Sequence, residues 1–178
     1  MTLTKRDLVV RISEETGMIQ TQVFDVVQKT LDYIAEALAK APDVRTVEPW
    51  DGRSTGLHVT FSTGAQLWIG ATFAAAPGEK YEQPEAPIHA EPPAEVSYPD
   101  LYEDGKVSPD RAKRYLAAAL TNSGCDEIES AYAYADTNQH PGFGVVFHSG
   151  ARAFCLLEST ARPGQGLGSR NAELQGAF

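Results

Sequence analysis

The sequence predicts an α+β fold in which one helix and three antiparallel strands occur twice, with the helices on one face of the sheet. The first observation behind this is a repeat. Setting His58 to Glu79 against Gly144 to Gln165 without a gap pairs Val59 with Val145, Phe61 with Phe147, Gly64 with Gly150, Ala65 with Ala151, Ala75 with Ala161, Pro77 with Pro163 and Gly78 with Gly164. Identities at matching places of a strand-turn-strand pattern mark a doubled unit. The second is periodicity, because apolar residues recur at helical spacing ahead of each copy and alternate within it. The third is punctuation: prolines and glycines gather between the periodic stretches.

Taken in order, Thr4 and Asp7 have capping-box spacing, so a short helix is predicted over about 5–15, with Leu8, Val9 and Ile12 on one face and Gly17 ending it. Val23, Val26, Val27, Leu31, Ile34 and Leu38 then recur at helical spacing up to Lys40, opposite Gln22, Lys29, Asp32 and Glu36. Phe24, Tyr33 and Ala35 widen that apolar sector beyond what the first helix can cover, which calls for a partner. Residues 1–40 thus read as a helical hairpin. Residues 41–74 form a first β unit: Val44–Val47 alternates weakly, Leu57–Phe61 is the next strand, and Thr63-Gly64 turns into Gln66–Phe73. Trp68, matched by Phe154, reads as a core aromatic.

Residues 75–107 carry Pro77, Pro84, Pro87, Pro92, Pro93 and Pro99 among many acids, the composition of an extended connector. Residues 108–159 form the second unit. Ser108-Pro109-Asp110 supplies a capping hydroxyl, a first-turn proline and a first-turn carboxylate, and Asn122-Ser123-Gly124 stops the helix. Glu127–Ala135 alternates with a change of face near Ser130, where a bulge is predicted. Phe143–His148 and Ala151–Glu158 make the second hairpin. Residues 160–178, with Pro163, Gly164, Gly166 and Gly168, read as a flexible tail. Two half-sheets of this kind can join across a pseudo-twofold or pack separately, and the pattern allows both.

The net charge is −9 and the pI about 4.9. That balance opposes non-specific attraction to nucleic acid or an anionic membrane and favours a basic protein partner. No run is apolar enough to span a membrane, and the charged N-terminus does not suit a secretory signal, so a cytoplasmic location is expected. Two cysteines, Cys125 and Cys155, give no disulfide framework.

Thr4-Lys5-Arg6-Asp7-Leu8-Val9, Glu14-Glu15-Thr16-Gly17, Val23-Phe24-Asp25-Val26-Val27 and Ile34-Ala35-Glu36-Ala37-Leu38-Ala39-Lys40 together resemble the opening helical hairpin of the HU and integration-host-factor histone-like proteins. In that family the hairpin builds an intertwined dimer. The resemblance therefore implies a homodimer with Val23, Val26, Val27, Leu31 and Ile34 at its interface, and makes Lys5, Arg6 and Arg11 candidate phosphate contacts. After Lys40 the chain departs from the family's pattern: it continues Ala41-Pro42-Asp43-Val44 without a Gly-Phe-Gly entry or basic arms carrying Arg-Asn-Pro. Ile19 also stands where the family has a hydroxyl cap.

The residues give no catalytic pattern. His58 and His148 do not align with each other, His89 and His140 fall in loops, and no metal-ligand spacing emerges. Cys155 aligns with Ile69 inside a strand, as a small buried hydrophobe would. Cys125 follows a helix end, where the dipole gives a thiolate nothing. Gly164-Gln165-Gly166-Leu167-Gly168 lacks the strand-to-helix context of a phosphate loop. Neither Asp126-Glu127 nor Glu103-Asp104 converges in an extended chain. The expectation is a non-enzymatic acidic interaction or assembly protein with no cofactor or metal, oligomeric through its N-terminal helices. The alternative is a histone-like DNA-binding protein with an altered body, for which nucleic-acid contact stays open.

Overall fold

The computed structural model describes residues 20–77, 87–167 and 174–178, with side chains from Val27 onward. The helix expected over about 5–15 lies outside the described residues. Helix α1 (Gln20–Ala39) is held by its apolar stripe: Leu31 is 3% exposed, Ile34 1%, and Leu38 is fully buried. It ends where Pro42 cannot continue the ladder, and the turn closes through Ala41 N–H to the Leu38 carbonyl at 3.1 Å. Strands β1 (Val44–Pro49), β2 (Gly56–Phe61) and β3 (Gln66–Ala74) follow. A small hairpin, β4 (Tyr102–Glu103) and β5 (Lys106–Val107), precedes helix α2 (Pro109–Thr121). Strands β6 (Ile128–Ala133), β7 (Gly142–Phe147) and β8 (Arg152–Ala161) complete the fold.

The six long strands form one antiparallel sheet in the order β1-β2-β3-β8-β7-β6, curled into a half-barrel. Leu57, Val59 and Phe61 of β2, Leu67, Ile69 and Ala71 of β3, Phe143 and Val145 of β7, and Ala153, Cys155 and Leu157 of β8 point into one core with the apolar faces of α1 and α2. Alternation sends the other residues of each strand to the opposite, helix-free face.

The two half-sheets meet at β3 and β8 and share their register. The alignment that sets Val59 against Val145 also sets Gly70 against Leu156, and these two residues are cross-strand partners at the centre of the sheet. Around them Ala71 faces Cys155 and Ile69 faces Leu157. Leu57 pairs with Ile69 as Phe143 pairs with Cys155. Both edge strands carry a bulge at the same place, Arg45 between Val44 and Thr46, and Glu129 between Ile128 and Ser130. The turns match as well: Gly64 (φ 90°) and Gly150 (φ 87°) sit in the left-handed region that glycine adopts without strain. Ser62 N–H reaches the Asp43 carbonyl at 2.8 Å as His148 N–H reaches that of Glu127 at 2.9 Å.

Several expectations meet a different geometry. Trp68 is 4% exposed, yet it lies on the helix-free face and not in the core shared with the helices. The described part of the connector, from Pro87 onward, is fastened down and ends in the β4–β5 hairpin. Ala90 N–H donates to the Asp126 carbonyl (2.8 Å), and Asn122 grips both main-chain groups of Val96, each at 2.8 Å. Tyr98 packs on Tyr115 at 5.0 Å, and Leu101 enters the core. Thr160 and Ala161, assigned from sequence to a flexible tail, are the last residues of β8, and Phe178 is 2% exposed. Phe178 exchanges two 2.8 Å main-chain hydrogen bonds with Val107, so it extends the β4–β5 hairpin.

Candidate functional site

Equivalent positions in the two halves keep the same residues where the fold needs them, so the places where the halves differ in chemistry are the candidates for function. On the helix-free face of the first half, His58 stacks on Trp68 with centroids 4.5 Å apart and planes 4° from parallel. Its Nε2 lies 3.0 Å from Gln66 Oε1, and its Nδ1 is 3.9 Å from Glu48. The Gln66 amide donates from Nε2 to the Gln165 carbonyl, which fixes Oε1 as the atom facing the imidazole. Gln66 Oε1 can accept from His58 Nε2 in the tautomer that carries its proton there. In the second half Gly144 replaces His58, Tyr132 replaces Glu48 and Phe154 replaces Trp68.

The next row across the sheet is floored by glycines, over which neighbouring side chains lie flat. A Cβ at Gly56 would stand 2.7 Å from the Trp50 ring, and one at Gly142 would stand 2.9 Å from the Tyr134 ring. Above Gly70, Arg53 and Glu158 form a half-buried ion pair between the two halves. Tyr132 covers Gly144 in the same manner. Burial pushes the Tyr134 phenol up to about 12, so it stays neutral and packs over Gly142. Ser159, across the strand from Trp68, is buried with its hydroxyl unpaired among the described residues.

The charged groups of α2 are likewise committed. Ser108 accepts from the Arg111 amide at 3.3 Å and caps the helix. Lys113 is 1% exposed and bonds Asp136 at 2.7 Å and Asp110 at 2.9 Å. Burial alone would lower the pKa of its ammonium, but those two carboxylates outweigh it and leave the pKa raised. Arg114 joins Asp136, and Arg111 pairs with Glu103 at 3.3 Å and the Asp100 carbonyl at 3.1 Å. A cavity of about 330 Å³ beside this end of α2 is lined by Pro99, Asp100, Ser108, Asp110, Arg111 and Arg114.

The two edges of the sheet differ most of all. Trp50 N–H bonds the Gly56 carbonyl and Tyr134 N–H that of Gly142, both at 2.9 Å, so by antiparallel alternation the residue before each turns its main chain away from the sheet. On β1 that residue is Pro49, which has no N–H to offer, and the bulge residue Arg45 is tied to the Ser62 carbonyl at 2.6 Å. On β6 it is Ala133, with Ala131 two residues earlier facing the same way and Glu129 exposed in the bulge.

Of the residues singled out from sequence, Lys5, Arg6 and Arg11 lie outside the described residues, as do the side chains of Val23 and Val26. Val27, Leu31 and Ile34 are buried within this chain. The four histidines are not brought together. His89 bonds Asp126 at 3.0 Å, a contact that raises its pKa, and His148 contacts the Glu91 carbonyl at 3.1 Å. Cys155 is fully buried, which pushes its thiol up to about 12. Among the described residues no group of three His, Cys, Asp or Glu could hold a metal, and no helix is long and apolar enough to cross a membrane. The aligned copies already set His58 and Trp68 against Gly144 and Phe154, a difference that points to this face, whereas Glu48 and both edge strands lie outside the aligned stretch and leave no such signal. No protein-family model, curated protein or solved structure matches the chain.

Proposed function

We propose that the chain is a non-enzymatic, acidic interaction protein built on a duplicated helix and three-strand unit, and that its partner is a basic protein. One observation carries this reading. The side chains best suited to chemistry are bonded into the framework, His58 to Gln66 and Trp68, Lys113 to Asp110 and Asp136, Arg53 to Glu158, whereas Glu91, Glu95, Asp104 and Glu129 stand in water. A surplus of exposed carboxylates steers a positively charged surface toward the molecule and repels nucleic acid. Self-association through the N-terminal helices rests on the family resemblance and on Val23 and Val26.

The test is capture from the source cell on the immobilised full chain with a salt gradient, alongside a gel-shift on duplex DNA. Basic proteins released by raised salt, without a DNA shift, are the expected result. Salt-sensitive retardation of the duplex would overturn the reading in favour of the histone-like alternative. Light scattering on the full chain decides self-association, and a monomer mass removes it.

A further inference from the structure

We propose that the outer edge of β6 is the docking site, and that it takes an extended, lysine- or arginine-bearing segment of the partner as a seventh strand. This rests on the reading of the chain as an acidic interaction protein and names where and how it binds. Ala131 and Ala133 turn their amides and carbonyls outward, and no main-chain hydrogen bond from elsewhere among the described residues reaches them. An added strand satisfies such groups in register, which is how sheet edges recognise peptides.

The opposite edge is only partly open: of its outward-facing residues Val47 keeps its N–H, but Pro49 has none to offer. β1 has Pro49 where β6 has Ala133, and Arg45 where β6 has Glu129. Pro49 removes one outward donor, and Arg45 puts a positive charge at the other end of the same edge. β6 keeps the donors and carries the opposite charge. Asp126 leads into the strand and is more than half exposed, and Glu91 and Glu95 of the connector are exposed as well. Tyr132 is 41% exposed on the helix-free face beside this edge and offers its ring to the stem of a lysine or arginine. Glu129 in the bulge also sets like charges together if two copies of β6 approach each other, so the edge discriminates against self-pairing while admitting a basic strand.

The experiment uses the full chain labelled with ¹⁵N and an acetylated octapeptide of alternating lysine and valine. Two controls accompany it: the same peptide N-methylated at alternate residues, which keeps the charge but cannot form the ladder, and a glutamate–valine peptide. The lysine–valine peptide is expected to shift the amides of Ala131 and Ala133 and slow their hydrogen exchange, leaving Val47 on β1 unchanged. Ala133→Pro should abolish that protection at an unchanged melting temperature, because Pro49 already occupies the equivalent place without cost to the ladder. Glu129→Lys should weaken binding several-fold. Equal binding of the N-methylated peptide, unaltered binding by Ala133→Pro, or shifts confined to the connector would overturn the edge as the site, while capture of basic proteins by the full chain would leave the broader reading standing. Failure of the lysine–valine peptide to bind at all also overturns the edge, and the broader reading falls with it only if the full chain captures no basic protein.

Discussion

Gly70 and Leu156 face each other across β3 and β8, and each occupies in its own half the place the other occupies in the second. A pseudo-twofold axis therefore passes between them, and the position is asymmetric only in side chain. Gly70 leaves room for the Arg53–Glu158 ion pair, which would collide with any Cβ built there. Gly70→Ala should displace the pair and lower stability by about 1–2 kcal/mol, the range for breaking one half-buried polar contact. Urea unfolding of Gly70→Ala, Glu158→Gln and the double variant measures the coupling. Additive losses would show that the glycine serves something other than the ion pair.

The same axis explains identities that the repeat contains beyond its strands. Pro163 packs against Gly64, and Pro77, its counterpart, packs against Gly150, so each half runs past the central pair to brace the other's turn. The sequence shows that Pro77 and Pro163 match, but a contact between halves is invisible until the half-sheets are joined. Local signals were legible: Ser108-Pro109 capped α2, and the glycine of each turn was read correctly. The Asp104-Gly105 hairpin signal is masked by an acidic, proline-rich stretch, although both residues take the positive φ that such a turn requires, 50° and 73°. Trp68 is buried, as an aromatic matched by an aromatic usually is, but on the face away from the helices. His58 lies over its ring there, and stacking across neighbouring strands leaves no periodicity to detect.

Helix α1 makes the second prediction. Ile34 and Leu31 are buried against the sheet and α2 in this chain, so their truncation removes core contacts whatever the oligomeric state. Ile34→Ala should cost about 2–5 kcal/mol of folding stability, the range for large-to-small changes at filled sites. Denaturant melts at two protein concentrations check it. A loss that grows on dilution would place Ile34 in a subunit interface.

The Lys113–Asp136 pair sets a pH dependence with two limbs. The hydrogen bond from Lys113, aided by the charges of Lys113 and Arg114, holds the Asp136 carboxyl below the usual range. Its contribution to stability is complete above the unfolded-state value and is lost as pH falls through the depressed one. Lys113 is raised, so its contribution is present below its unfolded-state value and disappears as pH rises through the folded one. Asp136→Asn should lower the melting temperature across the plateau between these limbs, and the gap to the parent should close in acid. A gap that stays constant from neutral pH into acid would mean that Asp136 contributes through packing and not through charge.

Phe178 makes the last prediction, because it ties a distant stretch of chain to both the small hairpin and the core. Its ring sits 6.4 Å from that of Phe61, which lies on β2, and its main chain pairs with Val107 immediately before the cap of α2. Removing the ring opens a void beside Phe61. Phe178→Ala should therefore cost about 3–4 kcal/mol, and Phe178→Leu, which keeps most of the volume, under about 1.5 kcal/mol. Hydrogen exchange separates packing from tethering. The two bonds are formed by main-chain atoms, but the segment that makes them is held in place by the ring, so the Val107 amide should lose protection in the alanine variant through more frequent opening and retain it in the leucine variant. Full protection of Val107 in Phe178→Ala would show that the hairpin holds this segment without the ring.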